Sequence, residues 1–398
     1  MKTNHIIQRN LAALALLSAF SLQPSALLGQ GSLTPPGAPA PTMKSADQIE
    51  PRTIVNAVNT PGDATNLFII SQPGSYYLTT NLVGVSGKNG IEIIADNVSL
   101  DLNGFTLQLQ GGAPWPLGEN GIDIPGAQTN ITVRNGTISG WRFCDVSSAS
   151  PSMNLVFERL NVSDSLLGIS IAAGMVRDCN SQNTISGGIN VFSSGTVSGC
   201  SAQNNSAGYS IQAVSGNVSG CTADNNNGNG IYVSGGNVSG CTADNNNGTG
   251  IYDWGGTVTG CSVQGNNGLG IYVRPGSVVT GCNVKGNLSS GIYVMGSGSE
   301  IIGNTCNGNN STAATLQAGI FIVGCNNRVE DNHVTANGSA GIQVLDGTLT
   351  NNIIIKNSVF GNGANNYVLP GPQIVGPLIT NTVSGIITNS NPWANFSF

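Results

Sequence analysis

Residues 217–236 read NVSGCTADNNNGNGIYVSGG, residues 237–256 read NVSGCTADNNNGTGIYDWGG, and residues 257–276 read TVTGCSVQGNNGLGIYVRPG. A unit of about 20 residues with Asn/Gly turns and no helical spacing cannot bury its apolar face alone, so it must stack on copies of itself. Inside each unit Val218, Cys221 and Ala223 point one way and Ser219 and Thr222 the other, while Ile231 and Val233 flank an outward Tyr232. Period two makes these short runs strands.

The cysteines carry the register outward. Cys179, Cys200, Cys221, Cys241, Cys261 and Cys282 follow one another at 21, 21, 20, 20 and 21 residues, and Asn304, Asn332 and Asn357 fall in the same slot further on. One slot per coil puts these side chains in a column. Traced back to Asn103 and forward to Asn357, the pattern gives a solenoid of roughly twelve coils, on the order of 55 Å long at about 4.8 Å per strand. Stacked neighbours at that spacing are too far apart for the ~3.8 Å Cβ separation a disulfide prefers, which favours a dry thiol column over bridging. Cys306, Cys325 and Cys144 lie off this column and are the cysteines open to other chemistry.

Composition fits a thin solenoid core. Of the 398 residues 56 are glycine, only 8% are charged and 39% are hydrophobic, which excludes disorder driven by charge and a helical bundle. The net charge is −6, or −8 without Lys2 and Arg9, so nucleic acid is not an expected partner. Those two cations precede an apolar stretch from Leu11 to Leu22, the pattern of a secretory signal over residues 1–30. The stretch is too short to leave a transmembrane segment in the mature chain, and a secreted or cell-surface location is expected. Residues 31–64 form a Pro/Ala-rich N-terminal segment in which Ser32–Met43 reads as an extended tether, residues 65–385 read as the solenoid, and residues 386–398 as a C-terminal cap or tail. In the cap Trp393, Phe396 and Phe398 would plug the last coil. The long loop GGAPWPLGEN, residues 111–120, carries Trp115 and would overhang a groove or cap the narrow end.

The stretch from Gln72 to Gln110, containing QPGSYYLTTNL and GIEIIADNVSLDLNGFTLQL, together with the GIYV coils, resembles the right-handed parallel β-helix proteins of the pectin-lyase-like superfamily. The resemblance implies an all-β chain, a single-stranded right-handed parallel β-helix. It leaves activity open, because such folds serve lyases, glycoside hydrolases, epimerases, phage tailspikes and non-catalytic surface proteins. Polygalacturonase-like members use N-x-D, D-D, His-Gly and R-x-K strings, and none of these occurs here. Nor does the Asp-Pro-His-Glu string of epimerase-like members, or the acidic Ca²⁺ cluster of pectate-lyase-like ones. No cofactor or metal site is expected.

Three departures from the repeat are candidate sites. Asp253 and Trp254 replace Val233 and Ser234 of the preceding coil, and Asp253 falls in a column otherwise apolar. An inward carboxylate there is costly, so a bulge is expected to turn Asp253 to solvent, with Trp254 and Arg274 in cation–π contact on adjacent coils. Asp331 and His333 would share one side of a strand beside Glu330, suited to acid/base work or a metal. Glu158 and Arg177, each two residues before the column slot, would form a cross-strand ion pair. The triplets Asn225–Asn227 and Asn245–Asn247, with Asn266 and Asn267, read as turn amides that satisfy backbone groups.

Tyr232, Tyr252, Tyr272 and Tyr293 recur at 20, 20 and 21 residues, with Phe321 following in their slot. An outward aromatic ladder of this spacing can bind a glycan by stacking or can simply pack on itself. Two functions follow. The favoured one is an exported, non-catalytic surface or matrix element that binds a polysaccharide or cell-surface glycan along Tyr232, Tyr252, Tyr272, Tyr293 and Trp254. The competitor is a polysaccharide lyase or glycoside hydrolase with its site on the same face, drawing on Asp253, Arg274, Asp331 and His333.

Overall fold

A computed structural model describes residues 51–110, 118–311, 316–380 and 390–398. The leader at residues 1–30 and Trp115 lie outside these. Arg52–Phe398 forms one compact unit, and among the described residues its regular elements are all strands. A representative coil has three strands, Asn217–Ser219, Thr222–Asp224 and Asn229–Ser234. Each pairs in parallel, in register, with its counterpart one coil on. The third strands make a 14-stranded sheet from Asn66–Ile70 to Tyr367–Val368. That is fourteen coils rather than twelve, because the terminal coils keep the strands after the repeat wording has gone. First and second strands form one bent 28-stranded sheet, joined because Thr129–Ser139 and Met153–Ser163 run unbroken across the bend.

The corners follow from residue type. Gly220, Gly240 and Gly260 close the first corner at φ 58–59°, and Asn225 and Asn245 the second at φ 56° and 54°, a region open mainly to Gly and Asn. Gly236 serves a different need. A Cβ there would lie 1.7 Å from the Gly216 carbonyl oxygen, so only glycine permits the close stacking of these turns.

Inside, columns of one residue type run along the axis. Ile231, Val233, Val218 and Ala223 are fully buried with their counterparts. Asn226 Nδ2 donates to Asn246 Oδ1, Asn246 to Asn266 and Asn266 to Asn287, each at 2.9 Å. The same amides bond strand carbonyls, so the turn asparagines do satisfy backbone groups. The six column cysteines are buried free thiols. Cys221 Sγ accepts the Cys200 N–H at 3.4 Å and donates toward Val197 O at 3.5 Å. Asn304 plays the same part beyond Cys282, its Oδ1 accepting the Cys282 N–H at 2.9 Å.

At the C-terminal end Asn395–Ser397 pairs with both Ser358–Phe360 and Leu378–Ile379. Phe396 and Phe398 stack there at 6.2 Å, and Lys356 lies over Trp393. Among the described residues no helix is long and apolar enough to cross a membrane.

Candidate functional site

The outward face of the 14-stranded sheet carries one column whose chemistry changes along its length. Tyr232, Tyr252, Tyr272 and Tyr293 are in mutual register, followed by Phe321. Successive ring centroids lie 5.6, 4.4, 5.5 and 5.4 Å apart. The four tyrosines are half-buried and Phe321 is buried. Tyr209 adds a further ring, 4.4 Å from Tyr232, although it stands three residues before the slot, which Gln212 fills. Rings this close cover one another's faces, so mainly edges and hydroxyls meet solvent. Desolvation raises the pKa of Tyr209, Tyr252 and Tyr293, keeping those hydroxyls protonated as donors.

Beside the ladder Trp254 is 44% exposed. Its indole meets Tyr252 edge-on at 6.5 Å, and the Arg274 guanidinium lies 4.6 Å from the ring centre, the expected cation–π pair. Arg274 also reaches Met295 Sδ at 3.5 Å, to which the Tyr272 hydroxyl donates at 2.6 Å. The site is therefore a contiguous aromatic surface with one cation at its margin.

Asp253 corrects the expectation of a bulge. It is in plain register with Val233 and Val273, points inward and is wholly buried. The partners thought to be missing come from turns: Gly256 N–H donates to Asp253 Oδ2 at 2.8 Å and the Ser277 hydroxyl at 3.0 Å. Oδ1 has no partner. Burial raises the carboxyl's pKa, and the hydrogen bonds from Gly256 and Ser277 work against that rise. It cannot share a surface cleft with Arg274.

Asp331 also departs from expectation. It lies in a left-handed corner at φ 55°, between the strands Arg328–Glu330 and His333–Thr335, so the period-two argument that put it beside His333 fails. Glu330 is held by Arg328 and Lys356, which keep its carboxyl below the ordinary range. The exposed His333 packs edge-on with Phe360 at 5.2 Å. Glu158 and Arg177 do pair across strands, and Arg159 joins them. Among the remaining cysteines, Cys306 occupies a core column between Val284 and Val334, and Cys325 is half-exposed. The buried Cys144 thiol is pushed up to about 12 by desolvation and then by Asp145, which makes it a poor nucleophile.

Two features escaped the sequence reading. Glu92 and Asp123 are in register on the same outward column as the tyrosines, further toward the N-terminus. Both pKa values are raised by desolvation, and Asp123 adds repulsion at Glu92. Asn66 donates to Glu92 Oε2 at 3.0 Å and Asn120 to Asp123 Oδ1 at 3.1 Å. The second is a groove of about 390 Å³ along the turns after the third strands, floored by Gly235, Gly236, Gly255 and Gly256 and edged by Asn217 and Asn237.

Comparison with known proteins agrees with this architecture. A right-handed β-helix region model matches residues 120–258 and 253–397, more than half of the chain. No curated protein sequence matches. Among solved structures, the A-module of the mannuronan C-5 epimerase AlgE6 from Azotobacter vinelandii is 17% identical, over 82% of this chain and 90% of its own, at a TM-score of 0.48. The Dettilon tailspike protein gp208 is 14% identical over 75% and 61%, at 0.44. PfbA, a surface adhesin of Streptococcus pneumoniae, is 10% identical over 74% and 83%, at 0.33. The repeat wording, the fourteen in-register parallel coils and the family match converge: the chain belongs to the right-handed β-helix family.

Proposed function

We propose that this is an exported β-helix protein that binds a polysaccharide or cell-surface glycan, without cleaving it, on the outward aromatic face of the 14-stranded sheet. The observation that carries the reading is the continuous surface of Tyr209, Tyr232, Tyr252, Tyr272 and Tyr293 with Trp254 and Arg274 beside it. A surface with aromatic area, hydroxyl donors and one cation suits the apolar faces and hydroxyls of neutral sugars better than ionic capture. Asp253, the carboxylate nearest Arg274 in sequence, is enclosed in the core and supplies no acid to that face.

A second reading, a polysaccharide lyase or glycoside hydrolase, draws support from a different place. Glu92 and Asp123 stand on adjacent strands, about 4.8 Å apart by strand spacing. Side chains of unequal length on such neighbours can reach the roughly 5–5.5 Å carboxyl separation that retaining glycosidases use. The two readings separate in one screen. Purified protein is titrated with neutral and acidic polysaccharides while binding, new reducing ends and unsaturated-product absorbance are followed. The binding reading expects saturable binding of a neutral glycan with no product, and none from polygalacturonate with or without Ca²⁺. Product above a heat-killed control, abolished by Glu92→Gln or Asp123→Asn, would establish the enzyme instead.

A further inference from the structure

We infer that the ring platform for the glycan is one face of Trp254, at the step down to Ser234, and that the bound chain continues along the adjoining glycine-floored groove as an extended neutral polysaccharide. This rests on the aromatic-face reading and locates the contact within it. The tyrosines offer little ring face, since each is covered by its neighbours at 4.4–5.6 Å. Trp254 differs. Arg274 on the following coil covers one side of the indole, and Tyr252 meets its edge. On the preceding coil the in-register neighbour is Ser234, whose two-atom side chain cannot cover an indole. The other ring face is therefore open, and Arg274 and Tyr252 fix its orientation before any ligand arrives, which limits the entropy lost on binding.

The groove begins at the next residue of each coil, Gly235 after Ser234 and Gly255 after Trp254. Its glycines are there for the turn, and the consequence is a smooth channel running across successive coils. Along its far edge Asn237 Nδ2 donates to Asn217 Oδ1 at 3.1 Å, and Thr257 follows in register, so this stretch of the edge presents two amides and a hydroxyl with acceptor and donor capacity toward a ligand. No ionisable side chain lines the groove. A polymer seated there meets peptide groups every ~4.8 Å, with the Asn217 and Asn237 amides and the Thr257 hydroxyl at one edge. That rhythm suits the hydroxyls of successive sugars in an extended chain, and the absence of charge selects neutral units.

The test is isothermal titration of the full chain with cellohexaose, xylohexaose, mannohexaose and hexagalacturonate, for the wild type, Trp254→Ala, Trp254→Phe, Ser234→Leu and the control Phe360→Ala, an exposed ring on the 28-stranded sheet. At least one neutral hexasaccharide should bind. Trp254→Ala, and Ser234→Leu by filling the step, should each weaken it fivefold or more, with Trp254→Phe intermediate and Phe360→Ala within threefold. Thermal midpoints of the Trp254 variants should match the wild type, since the side chain is exposed. Wild-type binding that survives Trp254→Ala or Ser234→Leu with less than a fivefold loss overturns this placement and leaves the aromatic-face reading intact. Binding of hexagalacturonate alone overturns the neutral class. Failure of every probe to bind the wild type overturns both.

Discussion

The corner slot that runs from Cys179 to Asn357 takes a thiol in one half of the chain and an amide in the other because the slot has two fixed demands. A backbone N–H of the preceding coil needs an acceptor, and a strand carbonyl offers itself to a donor; Cys241 Sγ meets them at 3.5 Å and 3.6 Å, Asn304 through Oδ1 and Nδ2 at 2.9 Å each. Cys241→Asn should therefore be tolerated to within about 2 kcal/mol, whereas Cys241→Asp buries an acceptor-only charge and should cost about 4 kcal/mol or more. Urea unfolding of the two variants checks this, and equal losses would contradict the slot's chemistry. Asp253 gives a second prediction. Its folded pKa is raised, so the stability it contributes is fully present below its unfolded pKa and is lost as pH rises through the folded value. Asp253→Asn, neutral throughout, should match the wild type near pH 3 and exceed it at pH 7 by on the order of 1–3 kcal/mol. Thermal unfolding at both pH values decides it. Asp145, buried with one oxygen lacking a partner and its pKa raised well above the ordinary value by burial, should act in the same direction. Glu330 opposes them, because its lowered pKa contributes stability that disappears on acidification.

At the level of the strand and the corner, what the sequence made legible was whatever repeats in a fixed number of residues. The cysteine interval set the register, and the alternation around Tyr232 set the face; both hold in the structure. Asp253 was misjudged because its partners Gly256 and Ser277 are supplied by turns, which strand alternation does not reveal. Asp331 was misjudged because alternation stops at a residue with positive φ. Glu92 and Asp123 were invisible because 31 residues separate them, outside the 20–21-residue interval, and Tyr209 because it reaches the ladder from a different slot. The ladder itself should behave as an additive element. Single Tyr→Ala changes at Tyr232, Tyr252 and Tyr272 should each cost about 1 kcal/mol of stability, the scale of one cross-strand aromatic contact. Calorimetric melting of the singles and the triple measures it, and a loss of several kcal/mol from one ring would show the column to be core rather than surface.

Taken whole, the molecule separates the stacking of its coils from the chemistry of its outward face. The axial columns of cysteine, asparagine and β-branched residues hold successive coils together, while the outward column is free to change from Glu92 and Asp123 through serine and amide to aromatic without disturbing the stack. Such a solenoid presents an extended surface with a repeat of about 4.8 Å, a geometry that matches a polymer better than a small ligand. The measurement that bears most directly on this account is the affinity of the full chain for neutral glycans at low and high salt, before and after Tyr232, Tyr252 and Tyr272 are changed to Ala one at a time and then together. The account predicts saturable binding that weakens stepwise along that series and responds little to salt, since few charges take part. A triple variant that binds as the wild type does, or a wild type that binds no neutral glycan, would contradict it.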